Sequence, residues 1–267
     1  MENELPVVKI SVRNLVEFIL REGDIDNRAG TGMNLDAMQL GGKIHRKIQR
    51  RMGVDYQAEV SLKCQIEMDG FCLNIEGRAD GILKEADGFT VDEIKGILSN
   101  IEHLTEPVPV HLAQAKCYAY IFANQHACGK MGVQMTYCQM ETEEIKRFRQ
   151  EYAYEELEEW FLNLTGRYER WAKFQLEWKN IRNASVKRIE FPFVYRKGQR
   201  ELAVSVYKTI LRKKKLFIQA PTGVGKTIST IFPAIKAVGE GLGEKIFYLT
   251  AKTITRTVAE QAFDKLR

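Results

Sequence analysis

The amino-acid sequence predicts an α/β protein in two parts: a mixed sheet flanked by helices, then the start of a parallel sheet in which strands and helices alternate. Three observations predict it. Residues 56–96 alternate apolar and polar side chains and are broken by Asp69-Gly70 and Asp87-Gly88, dipeptides that favour tight hairpins. Residues 187–267 change to apolar runs separated by helical periods, the rhythm of parallel βα units. Charge changes with the rhythm: residues 187–267 hold 17 Lys and Arg against 6 Asp and Glu, a balance of +11, whereas residues 1–186 stand at −6.

A chain of 267 residues has room for about two domains, and 45% hydrophobic with 28% charged residues describes an ordered chain with a sizeable core. The five cysteines are odd in number and contain no C-x-x-C pair, which argues against a disulfide framework and a zinc ribbon and fits a reduced, cytoplasmic setting. No apolar run reaches the roughly 20 residues that span a bilayer, and the first residues lack a signal-peptide pattern, so no membrane partner is expected. The basic balance of residues 187–267 suggests a polyanion partner, because Lys and Arg gain from displacing counterions condensed on nucleic acid.

Taken in order, residues 11–22 place apolar side chains at helical spacing behind a Ser able to cap them, and a polar, Gly-containing loop follows. A second helix is predicted over 35–52, weakened by Gly41-Gly42 and ending in a basic cluster. The two Asp-Gly turns then define three antiparallel strands. Pro107 and Pro109 introduce a helix over 110–125, and a strand follows at 132–140. Residues 142–179, acidic and rich in Tyr, Phe and Trp, read as one long core-packing helix, and 180–192 as a joint. After it come a helix at 196–213, a strand at 215–220, a loop, a helix at 226–238, a strand at 245–250 and a helix at 253–266. The expected divisions are 1–141, a long helix and linker at 142–186, and 187–267.

The apolar LFIQA runs straight into PTGVGKT before a helix begins, which is the strand, loop, helix setting of a triphosphate-binding loop. Gly223 and Gly225 let backbone N–H groups face phosphate oxygens, Lys226 would reach the β- and γ-phosphates, and Thr227 would offer its hydroxyl to Mg²⁺. The general pattern G-x-x-x-x-G-K-[ST] is met except at Ala220, which stands where the first Gly would. With its flanks, residues 190–267, the loop resembles superfamily 2 DNA helicases of the XPD/DinG-like group. The resemblance implies ATP as the nucleotide. It implies that Arg196 and Gln199 contact adenine and that Ala220, Pro221, Thr222, Gly223, Val224, Gly225, Lys226 and Thr227 form the phosphate loop. Thr250, Lys252 and Thr253 would touch the DNA backbone. Phosphoryl transfer also needs a second acidic strand and a charge-stabilising Arg. Nothing after Thr227 supplies either, so the rest of the motor is expected beyond Arg267 and useful ATP hydrolysis is not expected of these residues alone.

A second constellation lies upstream. Side chains two apart on a strand share a face, so Glu93 and Lys95 point together while Ile94 points to the core. Asp80 lies on the preceding strand within GRADG, and Glu59 on the strand before that. Clustered carboxylates repel unless a hard cation such as Mg²⁺ or Mn²⁺ joins them. Gln114 and Tyr118, four apart, share a helix face. Together with His45, this ordered series over residues 35–140 resembles the RecB-like branch of the PD-(D/E)XK nuclease superfamily. The resemblance implies a restriction-endonuclease-like sheet, a metal held by Asp80, Glu93 and His45 with Glu59 among the catalytic acids, and Lys95 orienting the attacking water. Gln114 and Tyr118 would position DNA, single-stranded or branched. Cys64 and Cys72 read as buried strand residues and no iron-sulfur cluster is expected. The expected function is therefore a DNA helicase with a metal-dependent nuclease module, in DNA processing or repair; the alternative is a nuclease fold that grips DNA without cutting it.

Overall fold

The computed structural model describes residues 5–22, 35–251 and 253–267. The chain divides into two compact units, residues 1–172 and 173–267.

In the first unit, β1 (Val7–Ser11), β2 (Tyr56–Met68), β3 (Phe71–Glu85), β4 (Gly88–Ile97), β5 (Lys130–Gln139) and β6 (Ile145–Ala153) form one mixed sheet in the order β1-β3-β4-β5-β6, with β2 on β3. The helices are α1 (Val12–Leu20), α2 (Leu35–Arg51), α3 (Pro109–His126) and the start of α4 (Tyr154–Lys187). Asp69-Gly70 is the two-residue loop of the β2–β3 hairpin, Gly70 taking φ 85 as that turn requires. The second hairpin is displaced by one residue from the dipeptide: Glu85 pairs with Gly88, so Ala86-Asp87 make the loop.

The pairing of β3 shapes everything that follows. β2 runs antiparallel along it from Phe71 to Leu83. On the opposite edge β1 covers Cys72 to Glu76 in parallel, and β4 covers Gly81 to Glu85 antiparallel. Residues 77–80, the Gly-Arg-Ala-Asp of GRADG, are paired by neither, and β4 beyond Asp92 keeps only β5, in parallel register from Thr90↔Gly132 to Ile97↔Gln139. The sheet thus opens into a fork between β3 and β4.

Helices cover both faces of the fork. Ile44 and Ile48 of α2 pack on Ile94 and Cys138, whereas α3 meets the face carrying Lys95, whose side chain alternates with that of Ile94. α3 is buried nearly all round from Ala113 to Ala123, because α1 and α4 close over it; the Tyr120 and Phe161 rings stack at 4.3 Å. Ser11 caps α1 as the sequence predicts, its Oγ accepting the Asn14 N–H at 3.1 Å. The predicted loop before α2 falls on residues 23–34, outside the described residues.

Two expectations about the first unit are corrected. The single helix at 142–179 is instead β6 followed by α4: residues 145–153 pair antiparallel with β5, and an exposed edge strand rich in Lys, Arg and Gln hides its period-2 pattern. The two units divide between Ala172 and Lys173 inside α4, since the aromatic residues of its first half pack into the first unit. Cys64 and Cys72 are half-buried rather than buried.

The second unit contains the end of α4, α5 (Gln199–Leu211), α6 (Lys226–Gly239) and α7 (Thr253–Asp264). Ile228 and Ile231 of α6 pack with Ala259, Ala262 and Leu266, joined by Ile189 and Phe191. The parallel strands expected at 215–220 and 245–250 are not formed: both segments lack regular structure, with Phe217 94% and Leu249 89% exposed. A strand exists through its ladder, and these two short runs are not paired into one.

Candidate functional site

At the fork in the first unit, the side chain of Asp80 stands in for the missing ladder. Its Oδ2 accepts the Ile94 backbone N–H at 2.8 Å, and its Oδ1 lies 3.1 Å from His45 Nδ1 on α2. Burial opposes charge on His45, but the hydrogen bond and the attraction to Asp80 outweigh it and hold its pKa above the ordinary value. Glycine is required at both ends of this stretch because aromatic rings lie on it. A Cβ on Gly77 would meet the Tyr118 ring at 2.8 Å, and one on Gly81 would overlap Tyr56.

Glu93 and Lys95 do share a face. Lys95 Nζ donates to Glu93 Oε1 at 2.7 Å and to Gln114 Oε1 at 3.2 Å, and Gln114 Nε2 donates to the Tyr118 hydroxyl at 3.4 Å. Glu93 is 2% exposed, and its second oxygen, Oε2, is buried without a hydrogen-bond partner. Burial, then the nearby Asp80 charge, push its carboxyl up to about 7 against the pull of Lys95. His45, Asp80, Glu93, Lys95, Gln114 and Tyr118 are thereby brought to one fork, linked side chain to side chain or through the Ile94 amide.

Glu59 lies opposite Asp80 across the β2–β3 ladder, but its backbone takes φ 57 and its carboxylate turns to Arg78 Nε at 2.7 Å and to Gln49 Nε2 at 3.0 Å. It belongs to the rim of the fork. Sequence reasoning missed Gln49, which also donates to the Asp80 carbonyl at 2.9 Å; its position four residues after His45 was the available signal. It also missed Asp92. This carboxylate is fully buried on the α2 face, where Gln134, Thr136 and Tyr56 donate to it at 3.0, 2.5 and 3.2 Å.

Among the described residues no three His, Cys, Asp or Glu side chains converge as a ready-made metal group. His45 and Lys95 instead each occupy one acid. The orphaned Glu93 Oε2 next to Asp80 is nevertheless an acceptor that lacks a donor or cation, and two carboxylates in this position fit a hard divalent ion.

In the second unit the loop leads into α6. Gly223 and Gly225 take φ 86 and 78, a left-handed conformation open to glycine, and Gly225 caps α6. A Cβ on Gly225 would strike the Gln199 amide, and Gln199 Oε1 accepts the Arg196 backbone N–H at 3.0 Å. The Arg196 guanidinium donates to the Gly223 carbonyl. Both upstream residues therefore touch the loop. Lys226 Nζ is held by the Ala220 and Pro221 carbonyls, each at 2.8 Å, and Thr227 lies in the first turn of α6. Thr250 is exposed, Thr253 starts α7, and Lys252 lies outside the described residues.

Residues 200–267 match the DEAD/DEAH box helicase family. The match begins one residue after Gln199 and takes in the whole phosphate loop. It supports a superfamily 2 helicase domain, of a hydrolase family that uses ATP and Mg²⁺. No curated protein matches the chain. A solved structure titled "Crystal structure of SSO0001" is similar with 23% identity and a TM-score of 0.39, over 53% of this chain and 65% of that one. Among the described residues no helix is long and apolar enough to cross a membrane.

Proposed function

We propose that this chain joins a metal-dependent DNA nuclease module of the PD-(D/E)XK type to an ATP-dependent DNA helicase domain of the XPD/DinG-like group, for use in DNA processing or repair. The observation that carries the nuclease part is the fork itself: Asp80, Glu93 and Lys95 meet where β3 and β4 separate, with Gln114 and Tyr118 bonded into the same network. Asp80 and Glu93 would hold a divalent cation, which when bound supplies Lewis-acid charge for phosphodiester hydrolysis. Lys95 Nζ sits between the Glu93 and Gln114 oxygens, where its charge offsets the negative charge that develops on a phosphate in the fork. Gln114 and Tyr118 present polar edges that orient the strand. His45 steadies Asp80 from the opposite face.

In the helicase domain, Gly223 and Gly225 turn the loop backbone toward phosphate, Lys226 exchanges two carbonyl partners for phosphate oxygens, and Thr227 offers its hydroxyl to Mg²⁺. Arg196 and Gln199 would take the adenine. Thr250, Lys252 and Thr253 would lie along the DNA backbone.

Purified protein with Mn²⁺ should cleave single-stranded DNA, and the Asp80→Ala and Lys95→Ala variants should not. Intact DNA from the wild type would sink the nuclease claim. A second reading, DNA gripping without cleavage, is favoured by one feature: both acids already have nitrogen partners, Asp80 in His45 and Glu93 in Lys95. It predicts DNA binding that Mn²⁺ does not convert into cutting.

A further inference from the structure

His111 stands outside the network around Lys95 and yet beside it. It precedes Gln114 by three residues and Tyr118 by seven on α3, so the three share one helix face. Its Nδ1 lies 3.3 Å from the Tyr137 hydroxyl, and that hydroxyl already accepts the Val108 backbone N–H at 2.9 Å. An oxygen accepting from Val108 turns its own proton toward the imidazole, which makes Nδ1 the acceptor and leaves the ring proton on Nε2. Burial, then the positive charges of Lys95 and Arg13, push its pKa down to about 4, with Glu17 opposing, so the ring is neutral at pH 7. The adjoining Val110 lines, with Glu17 of α1 and Arg21 just after it, a cavity of 270 Å³.

We propose that His111 is a further DNA-contacting residue of this site, its Nε2–H, set by Tyr137, donating to a phosphate oxygen of the strand bound beside Lys95. The assignment rests on the nuclease reading above. The surroundings select the ligand. An N–H donor near Lys95 and Arg13 favours an anion, and a neutral donor adds a hydrogen bond without adding another desolvated charge. Tyr137 pairs with Lys95 across the β4–β5 ladder, so the strand beside the lysine's own sets the depth of the imidazole.

The histidine ¹H–¹⁵N signals of the full chain test this without relying on cleavage. His111, assigned by the loss of its signals in His111→Phe, should show the Nε2–H tautomer and shift on adding oligothymidylate with Ca²⁺; His126, at the far end of α3, serves as the control. In the cleavage assay His111→Phe, which keeps a ring on Tyr137, should raise KM about 2- to 10-fold with kcat held, the size of one lost neutral hydrogen bond. His111→Gln, which keeps an N–H donor, should recover most of it. The salt dependence of binding should not change, because no charge is removed. Unshifted His111 signals at saturating DNA would overturn the proposal, as would equal impairment and equally lowered Tm in both variants. DNA that shifts His111 but is never cut would overturn the nuclease reading and leave the contact standing.

Discussion

Glu93→Gln isolates what the fork costs the fold. The carboxyl is raised from 4.5 to about 7 by burial and by Asp80, which corresponds to about 3 kcal/mol disfavouring its ionised form. A group raised in the folded state contributes fully below its ordinary value and loses that contribution as pH rises through the folded one, so wild-type stability should fall between pH 4.5 and 7 on this account. The amide removes that loss. It also takes a charged partner from Lys95, which costs back about 1–2 kcal/mol because Gln114 remains as an acceptor. The Lys95 cost is the same at both pH values, so the variant should gain about 2–3 kcal/mol over wild type at pH 8 relative to pH 5. Thermal unfolding by circular dichroism in EDTA at both pH values reads the difference. Mn²⁺ should then raise the wild-type Tm at pH 8 and leave the variant nearly unmoved, since Oε2 no longer carries charge. Identical pH dependence in the two proteins would mean that ionising Glu93 costs the fold nothing.

Lys226→Ala should weaken ATP binding roughly 10- to 100-fold, the value of a charge-assisted contact, while leaving Tm unchanged because its two partners are loop carbonyls; a fluorescent ATP analogue measures it. Gly81→Ala should destabilise the first unit by about 1–3 kcal/mol by driving Tyr56 off Asp92, and a Tyr56→Leu background should relieve most of that loss in urea melts. Asp92→Ala should cost roughly 1–3 kcal/mol for each buried donor it strands among Tyr56, Gln134 and Thr136, read by the same melts. His111 has a folded pKa of about 4, below its ordinary 6.5, so its contribution is complete above 6.5 and is lost as pH falls toward 4; His111→Gln should flatten that part of the acid-unfolding curve.

Most of the first unit is legible because its signals are local. Turn dipeptides, alternation and a Pro before a helix each act within a few residues, and β2 to β5 and α3 fall close to where those features put them. The ordered series from His45 to Tyr118 is legible for the same reason, as each member sits on an element whose face is set by periodicity. The fork is not legible, because it depends on β1 and β4 sharing one edge of β3, a long-range choice that five residues at the N-terminus make. Asp92 escaped for a related reason: a carboxylate between Val91 and Glu93 looks like a solvent-facing acid until Tyr56 and Thr136 are known to lie against it. The strands of the second unit failed the other way. LFIQA and IFYLT carry strong local signals, and a parallel ladder is not a local property.

The four residues between β1 and β4 also bear on self-association. An open run of backbone in the middle of a sheet is in principle a template for a foreign strand. Here the opening is shorter than a stable strand, Tyr118 lies across Gly77, and two acids with His45 and Lys95 crowd its end. The charge at the fork thus acts as protection, and replacing Asp80 and Glu93 with apolar residues should turn a solvated notch into a sticky one.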